Sequence, residues 1–152
     1  MTLPEVLLDP DRKNNVVDDC VKLVDSEVAK KSGFVGGAIK LGYKTVRGLD
    51  GGKMVPKLVS DLLPEFAAAF EPFHAEFRAA TAPATFVAFA SSRAPTLAEA
   101  LLAITDGKAK HAKNAVLKKV YETLRPSAKR HIEEAMPGTC GVIDKYAPRV
   151  GA

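Results

Sequence analysis

Apolar positions along this 152-residue chain recur every three to four residues and rarely alternate, so each periodic stretch reads as a helix. Thr2 and Glu5 stand at capping-box spacing with Pro4 in the first turn, predicting a short helix to about Leu8 before an Asp9-Pro10 break. A longer helix is expected from about Asp11 to Lys31, with Val17, Val21, Val24 and Val28 on one face and Val16, Cys20 and Leu23 widening it. Lys30, Lys31 and Gly33 suit its end, because cations favour the negative helix terminus and glycine accepts a left-handed cap.

Phe34 to Leu49 keeps helical spacing through Phe34, Ala38, Leu41, Thr45 and Leu49, with Lys40, Lys44 and Arg47 on another face. Seven of the eleven glycines fall between Gly33 and Gly52. Each one inside a helix costs roughly 1 kcal/mol relative to alanine, so something must offset them. Close approach of a neighbouring helix is the preferred explanation, and backbone approach to a ligand is the alternative. Gly48 to Gly52 reads as a loop.

Pro56, Pro64 and Pro72 predict two or three helices, or one strongly kinked helix, between Lys53 and Ala80. Phe66, Phe70, Phe73 and Phe77 lie on one stripe there, which reads first as core. Pro83 and Pro95 bracket a helix carrying Phe86, Val87 and Phe89, and Thr96 with Glu99 forms a second capping box opening Leu97 to Thr105. Asp106-Gly107 reads as a turn into a basic helix from Lys108 to Leu124, striped by Ala109, Ala112, Val116, Val120 and Leu124. Pro126 restarts a helix that Pro137-Gly138 ends, and a last short one runs from Cys140 to Ala147. The expected class is all-α: a compact single-domain bundle of about six to eight helices over residues 1–152, several bounded by prolines. Its expected core holds Val17, Val21, Val24, Val28, Phe66, Phe70, Phe73, Phe77, Leu101, Val116 and Val120.

At 47% hydrophobic and 26% charged residues, the composition is that of a globular domain and argues against disorder. Cys20 and Cys140 form no disulfide framework, the N-terminus has no basic-then-apolar export pattern, and the longest uncharged run, Ala79 to Ser92, is too short to span a bilayer. A cytoplasmic protein without a transmembrane segment is expected.

The net charge of +4 is unevenly spread. Residues 29–58 carry seven bases against one acid, and residues 107–131 carry eight against one, while the blocks around them are acidic. Such alternation either creates basic patches or lets segments neutralise each other on folding. The candidate binding surface is Lys108, Lys110, Lys113, Lys118, Lys119, Arg125, Lys129 and Arg130, facing nucleic acid or an acidic protein. An alternative set is Lys40, Lys44, Arg47 and Lys53, where a basic and apolar segment could meet an anionic membrane surface; its glycines and lack of tryptophan make this less favoured.

Motifs for chemistry fail on spacing. Gly48 to Lys53 is not a phosphate-binding loop, since Met54 stands where a Ser or Thr is needed. His74 and Glu76 have the HxE spacing of zinc deaminases but lack the PCxxC that completes that site. His74, His111 and His131 therefore read as ordinary surface or helix-end histidines, with no metal and no cofactor expected. A helix-turn-helix around Gly107 fits poorly, because Asp106, Lys108 and Lys113 fall at packing positions.

SerGlyPheValGlyGlyAlaIleLysLeuGlyTyrLys (32–44), LeuLeuProGluPhe (62–66) and LeuArgProSerAlaLysArgHis (124–131) resemble a family of small uncharacterised bacterial helical proteins. The resemblance implies a bacterial cytosolic setting and no particular chemistry. The functional expectation is a non-enzymatic binding or adaptor protein with a basic helical surface. The alternative is an apolar-ligand carrier or membrane-surface protein using the glycine-rich segment and the phenylalanine stripe.

Overall fold

The computed structural model describes residues 1–149. Among them lie seven α-helices, two 3-10 turns and no strand, which is the all-α architecture expected from the periodicity. The helices are α1 (Leu3–Leu7), α2 (Lys13–Ala29), α3 (Gly33–Arg47), α4 (Met54–Ala79), α5 (Phe86–Ala90), α6 (Ala94–Lys110) and α7 (Ala115–Tyr146).

The two longest helices organise the rest. α7 packs against α2, α3, α5 and α6, and α4 packs against α1, α2 and α6. Between them sits an aromatic cluster built from the α4 stripe and α5. Phe77 lies 5.6 Å from Phe86 and 5.7 Å from Phe89 between ring centroids, and Phe70 meets Phe86 edge-on at 6.2 Å. Phe70 and Phe77 are buried, whereas Phe66 and Phe73 are half-buried and pack against the cluster from outside. Edge-to-face pairs of this kind add to the stabilisation from apolar burial alone.

The prolines do not divide the long helices. Pro64 and Pro72 lie inside α4, and Pro126 and Pro137 inside α7. All four are exposed. A proline on the wet face of a helix leaves its missing bond at a carbonyl that water can reach, and packing of the opposite face holds the helix together. Pro56 sits in the first turn of α4, where its absent N–H has no intrahelical partner to lose. Of the alternatives for Lys53–Ala80 the single helix is the one found, 26 residues long, and the expected breaks at Pro126 and Pro137-Gly138 are corrected to one continuous helix of 32 residues.

Two further boundaries differ from expectation. Gly107 lies within α6, and the turn falls at His111–Asn114, where Asn114 accepts from the Leu117 N–H and starts α7. This break resets the helical phase, so Val116 points to solvent, 46% exposed, instead of joining the core. Thr96 is inside α6, which opens at Ala94 with Pro95 in its first turn, and it caps nothing. Thr2 and Glu5 do form the expected capping box, and the Leu49–Gly52 turn places Asp50, Gly51 and Gly52 at positive φ.

Carboxylates from the long helices cap the short ones. Glu71 accepts from the Leu3 N–H at 2.6 Å, and Asp144 accepts from the Phe86 and Val87 N–H groups at 2.8 and 3.1 Å. These bonds satisfy donors that a five-residue helix cannot satisfy internally. The stretch Phe86–Lys110 is long and apolar enough to cross a membrane by length and composition. It is interrupted by the 3-10 turn Ser91–Arg93, carries Arg93 and Glu99, and buries Phe86, Phe89, Leu97 and Leu101 in the core.

Candidate functional site

Folding neutralises half of the predicted basic surface. Lys108 pairs with Glu65 at 2.9 Å, Lys129 with Glu99 at 2.9 Å and Arg130 with Glu134 at 4.0 Å. Arg125 grips both oxygens of Asp106, at 2.8 and 3.1 Å. Lys110, Lys113, Lys118 and Lys119 are exposed and have no acidic partner among the described residues. They are brought together by the turn, Lys110 at the end of α6, Lys113 in the connection, and Lys118 and Lys119 at the start of α7.

Lys110 and Lys118 line an open cleft of about 630 Å³ between α6 and α7. Ala109, Tyr121 and Pro126 line it too, as do Asp106, Arg125 and Glu122. The Asp106 carboxyl is held below its ordinary pKa by hydrogen bonds from Arg125 and Tyr121. A second cleft, about 490 Å³, is lined by Glu65, Ile104, Lys108 and His111. Neither cleft reaches the phenylalanine stripe, whose rings fill the space between α4 and α5.

Of the alternative set, Arg47 pairs with Asp25 at 3.1 Å, while Lys40, Lys44 and Lys53 are exposed without an acidic partner among the described residues. The glycines of α3 divide by cause. A Cβ on Gly42 would stand 3.1 Å from Val120 of α7, so the expected close approach of a neighbouring helix is found there. A Cβ on Gly36 would collide with the Lys31 carbonyl carbon at 2.8 Å, whereas one on Gly37 would meet nothing within 4 Å.

The histidines correct the sequence reading at two positions, His74 and His131, the second lying inside α7 with its side chain 18% exposed. His74 is neither on the surface nor at a helix end: it lies inside α4 and is 2% exposed. Its Nδ1 stands 2.6 Å from Arg78 Nη1, which can only donate, so Nε2 carries the proton and donates to the Ala147 carbonyl at 3.1 Å. Burial lowers its pKa. Glu76 points elsewhere, exposed and 3.9 Å from Arg93, so the HxE pair does not converge. His111 is exposed, while His131 is half-buried and approaches Glu134 at 3.6 Å. Among the described residues no three His, Cys, Asp or Glu side chains gather into a metal-holding group. The thiols of Cys20 and Cys140 are free, and burial pushes them up to about 11 and about 12.

Residues 3–147 match a single family model. The chain belongs to DUF6918, a family of unknown function. No curated protein and no solved structure matches it. The chemistry of this DUF6918 chain is therefore read from its surface: four lysines without an ion pair among the described residues around the α6–α7 turn, and an α3 that is basic on one flank. Sequence reasoning found all of those lysines but missed which ones acids would occupy, because the pairs Lys108–Glu65 and Lys129–Glu99 join residues 43 and 30 positions apart.

Proposed function

We propose that this protein is a non-enzymatic binding protein of the bacterial cytoplasm that meets a polyanion through its basic helical surface. The observation that carries the reading is the group Lys110, Lys113, Lys118 and Lys119, four exposed cations with no ion pair within 4.0 Å among the described residues. Clustered cations of this kind bind phosphates by releasing condensed counterions, without needing a shaped pocket. Two free thiols held protonated by burial suit a reducing compartment. Asp144 caps α5, Asp106 pairs with Arg125 and Glu65 pairs with Lys108, engagements that suit a binding surface.

The test is binding to heparin and to double-stranded DNA over a salt series. Wild-type affinity falls steeply with salt, and replacing Lys110, Lys113 and Lys118 by Gln weakens binding, lowering the log–log salt slope by about 0.9 for each phosphate no longer neutralised. Binding of the triple variant equal to wild type across the series assigns the polyanion to another surface. Retention of an acidic protein but neither polyanion replaces nucleic acid with a protein face.

A further inference from the structure

Phe34 is 95% exposed and Leu41 is 68% exposed, the two least covered large apolar side chains beyond Met1. They stand seven residues apart on α3, two turns along one face. Gly37, Ala38 and Thr45 continue that face and are also exposed. The opposite face buries Gly36, Ile39 and Val46, so α3 is apolar towards the core and apolar again towards solvent. Folding has already satisfied the first face and leaves the second open.

The flanks of this outer stripe are basic. Lys40 and Lys44 border it on one side, exposed and unpaired among the described residues, and α3 contains no Asp or Glu. On the other side Gly42 seats α3 against Val120 and Leu124 of α7. One turn before Val120 that helix carries exposed Val116, and next to Val120 it carries Lys119, exposed with no ion pair among the described residues.

Charge complementarity selects among occupants. A nucleic acid would use the lysines and leave Phe34 and Leu41 in water. A second copy packed about a two-fold axis would set Lys40 and Lys44 near their own counterparts, with no acid in α3 to meet them. An anionic bilayer answers both features, offering phosphates to the flanking cations and an apolar layer a few ångströms deeper to the two side chains between them.

We infer that α3 lies in the plane of an anionic phospholipid surface, with Phe34 and Leu41 sunk to the acyl boundary and Lys40, Lys44 and Lys119 on the headgroups. The inference rests on the polyanion reading above and names the polyanion as a lipid surface. Gly37 and Ala38 add almost no bulk between the two anchors, so the helix axis can approach the headgroup layer closely. Two anchors on a helix that stays packed on its own protein give reversible attachment, because membrane affinity scales with the apolar area inserted plus the charge attraction.

The test is flotation of the full chain with vesicles of phosphatidylcholine alone, and with about one-third phosphatidylglycerol added. The protein floats with the anionic vesicles and stays behind with the neutral ones. Phe34→Ser with Leu41→Ser lowers vesicle affinity about tenfold or more, given the transfer energy of two large apolar side chains. The same double variant keeps the wild-type melting temperature and heparin affinity, since neither side chain is buried or charged. Lys40→Gln with Lys44→Gln weakens vesicle binding at low salt. Salt-dependent heparin binding without vesicle flotation overturns this inference and leaves the polyanion reading standing, whereas failure to bind either overturns both. Vesicle binding untouched by the Phe34 and Leu41 changes also overturns it, as does a dimer in sedimentation velocity that the double variant dissociates.

Discussion

Arg125 holds both carboxylate oxygens of Asp106, and the hydroxyl of Tyr121, one helical turn earlier, donates to the same carboxylate. The pattern recurs on the other helix pair, where Tyr43 and Arg47 of α3 share Asp25 of α2. Tyr146 completes the set by donating to Asp19, so each of the three tyrosines reaches an aspartate on a neighbouring helix. A neutral hydrogen bond contributes about 0.5–1.5 kcal/mol net, and one to a charged group about 1.5–3. Tyr121→Phe is therefore expected to cost about 1–2 kcal/mol in urea denaturation, and no change in midpoint would remove the α6–α7 clamp as a source of stability.

Phe70→Ala opens a hole beneath the Phe86 ring and is expected to cost about 3–5 kcal/mol. Phe73→Ala, at a half-buried site outside the cluster, costs less. Equal losses at the two positions would mean that the stripe is not packed as described.

Gly107 sits in the interior of α6, and a Cβ there would meet nothing within 4 Å. Gly107→Ala is expected to stabilise by about 0.5–1 kcal/mol, because alanine gives up less backbone entropy on entering a helix. Gly36→Ala is expected to destabilise, since its new methyl would stand 2.8 Å from the Lys31 carbonyl carbon. Thermal melts of the two variants moving in opposite directions would confirm both assignments.

These positions show where the chain could be read directly. The first half of the α2 core, the Thr2–Glu5 cap and the phenylalanine stripe were legible because each is a local pattern whose period matches its structure, whereas Val24 and Val28, expected in the core, are half-buried outside it and Val16 is buried instead. The long helices were not, because a proline's cost depends on whether its face is wet, a property set by partners distant in sequence. Val116 was misplaced for a related reason: its stripe was extended through residues 111–114, where the helix actually stops. At the candidate site the lysines were visible, but the acids that quench Lys108, Arg125 and Lys129 arrive from α4 and α6.

An imidazole in an unfolded chain ionises near 6.5. Burial lowers the His74 pKa in the folded state; Arg78 beside it acts in the same direction, while the Ala147 carbonyl, Glu71 and Asp144 act against it. The unfolded chain thus binds more protons as pH drops through 6.5, and stability declines from there towards the lower folded value. The carboxyls of Asp19, Asp106 and Glu134, held low by hydrogen bonds from Lys145, Arg125 and Lys31 respectively, add a second decline beneath their unfolded values near 4. Urea midpoints measured from pH 7.5 to 3.5 should fall in these two stages, with the His74 carbon-bound proton titrating below 6.5 in NMR spectra. A midpoint that is flat between pH 7 and 5.5 would argue against the buried neutral ring.

Neither thiol is expected to behave as a reactive cysteine. With Cys140 pushed up to about 12 and Cys20 to about 11, little thiolate is present at pH 8. Alkylation by iodoacetamide should be slow in the native protein and rapid for both after unfolding. Rapid modification of folded Cys140 would place it nearer solvent than the packing allows.

The order in which the ribosome delivers these helices follows from the position of α7. At 32 residues and 1.5 Å per residue it is about 48 Å long, and it is the common support for α2, α3, α5 and α6. It is also the last of the described helices to be synthesised, so the earlier ones emerge from the exit tunnel before the surface they need exists. α1, α2 and α4 can assemble among themselves, but the N-terminus of α5 waits for Asp144 and Asp19 of α2 waits for Tyr146. Completion of this fold is thereby deferred until α7 has emerged, leaving a nascent chain with incompletely covered phenylalanines as the form that chaperones and proteases meet first.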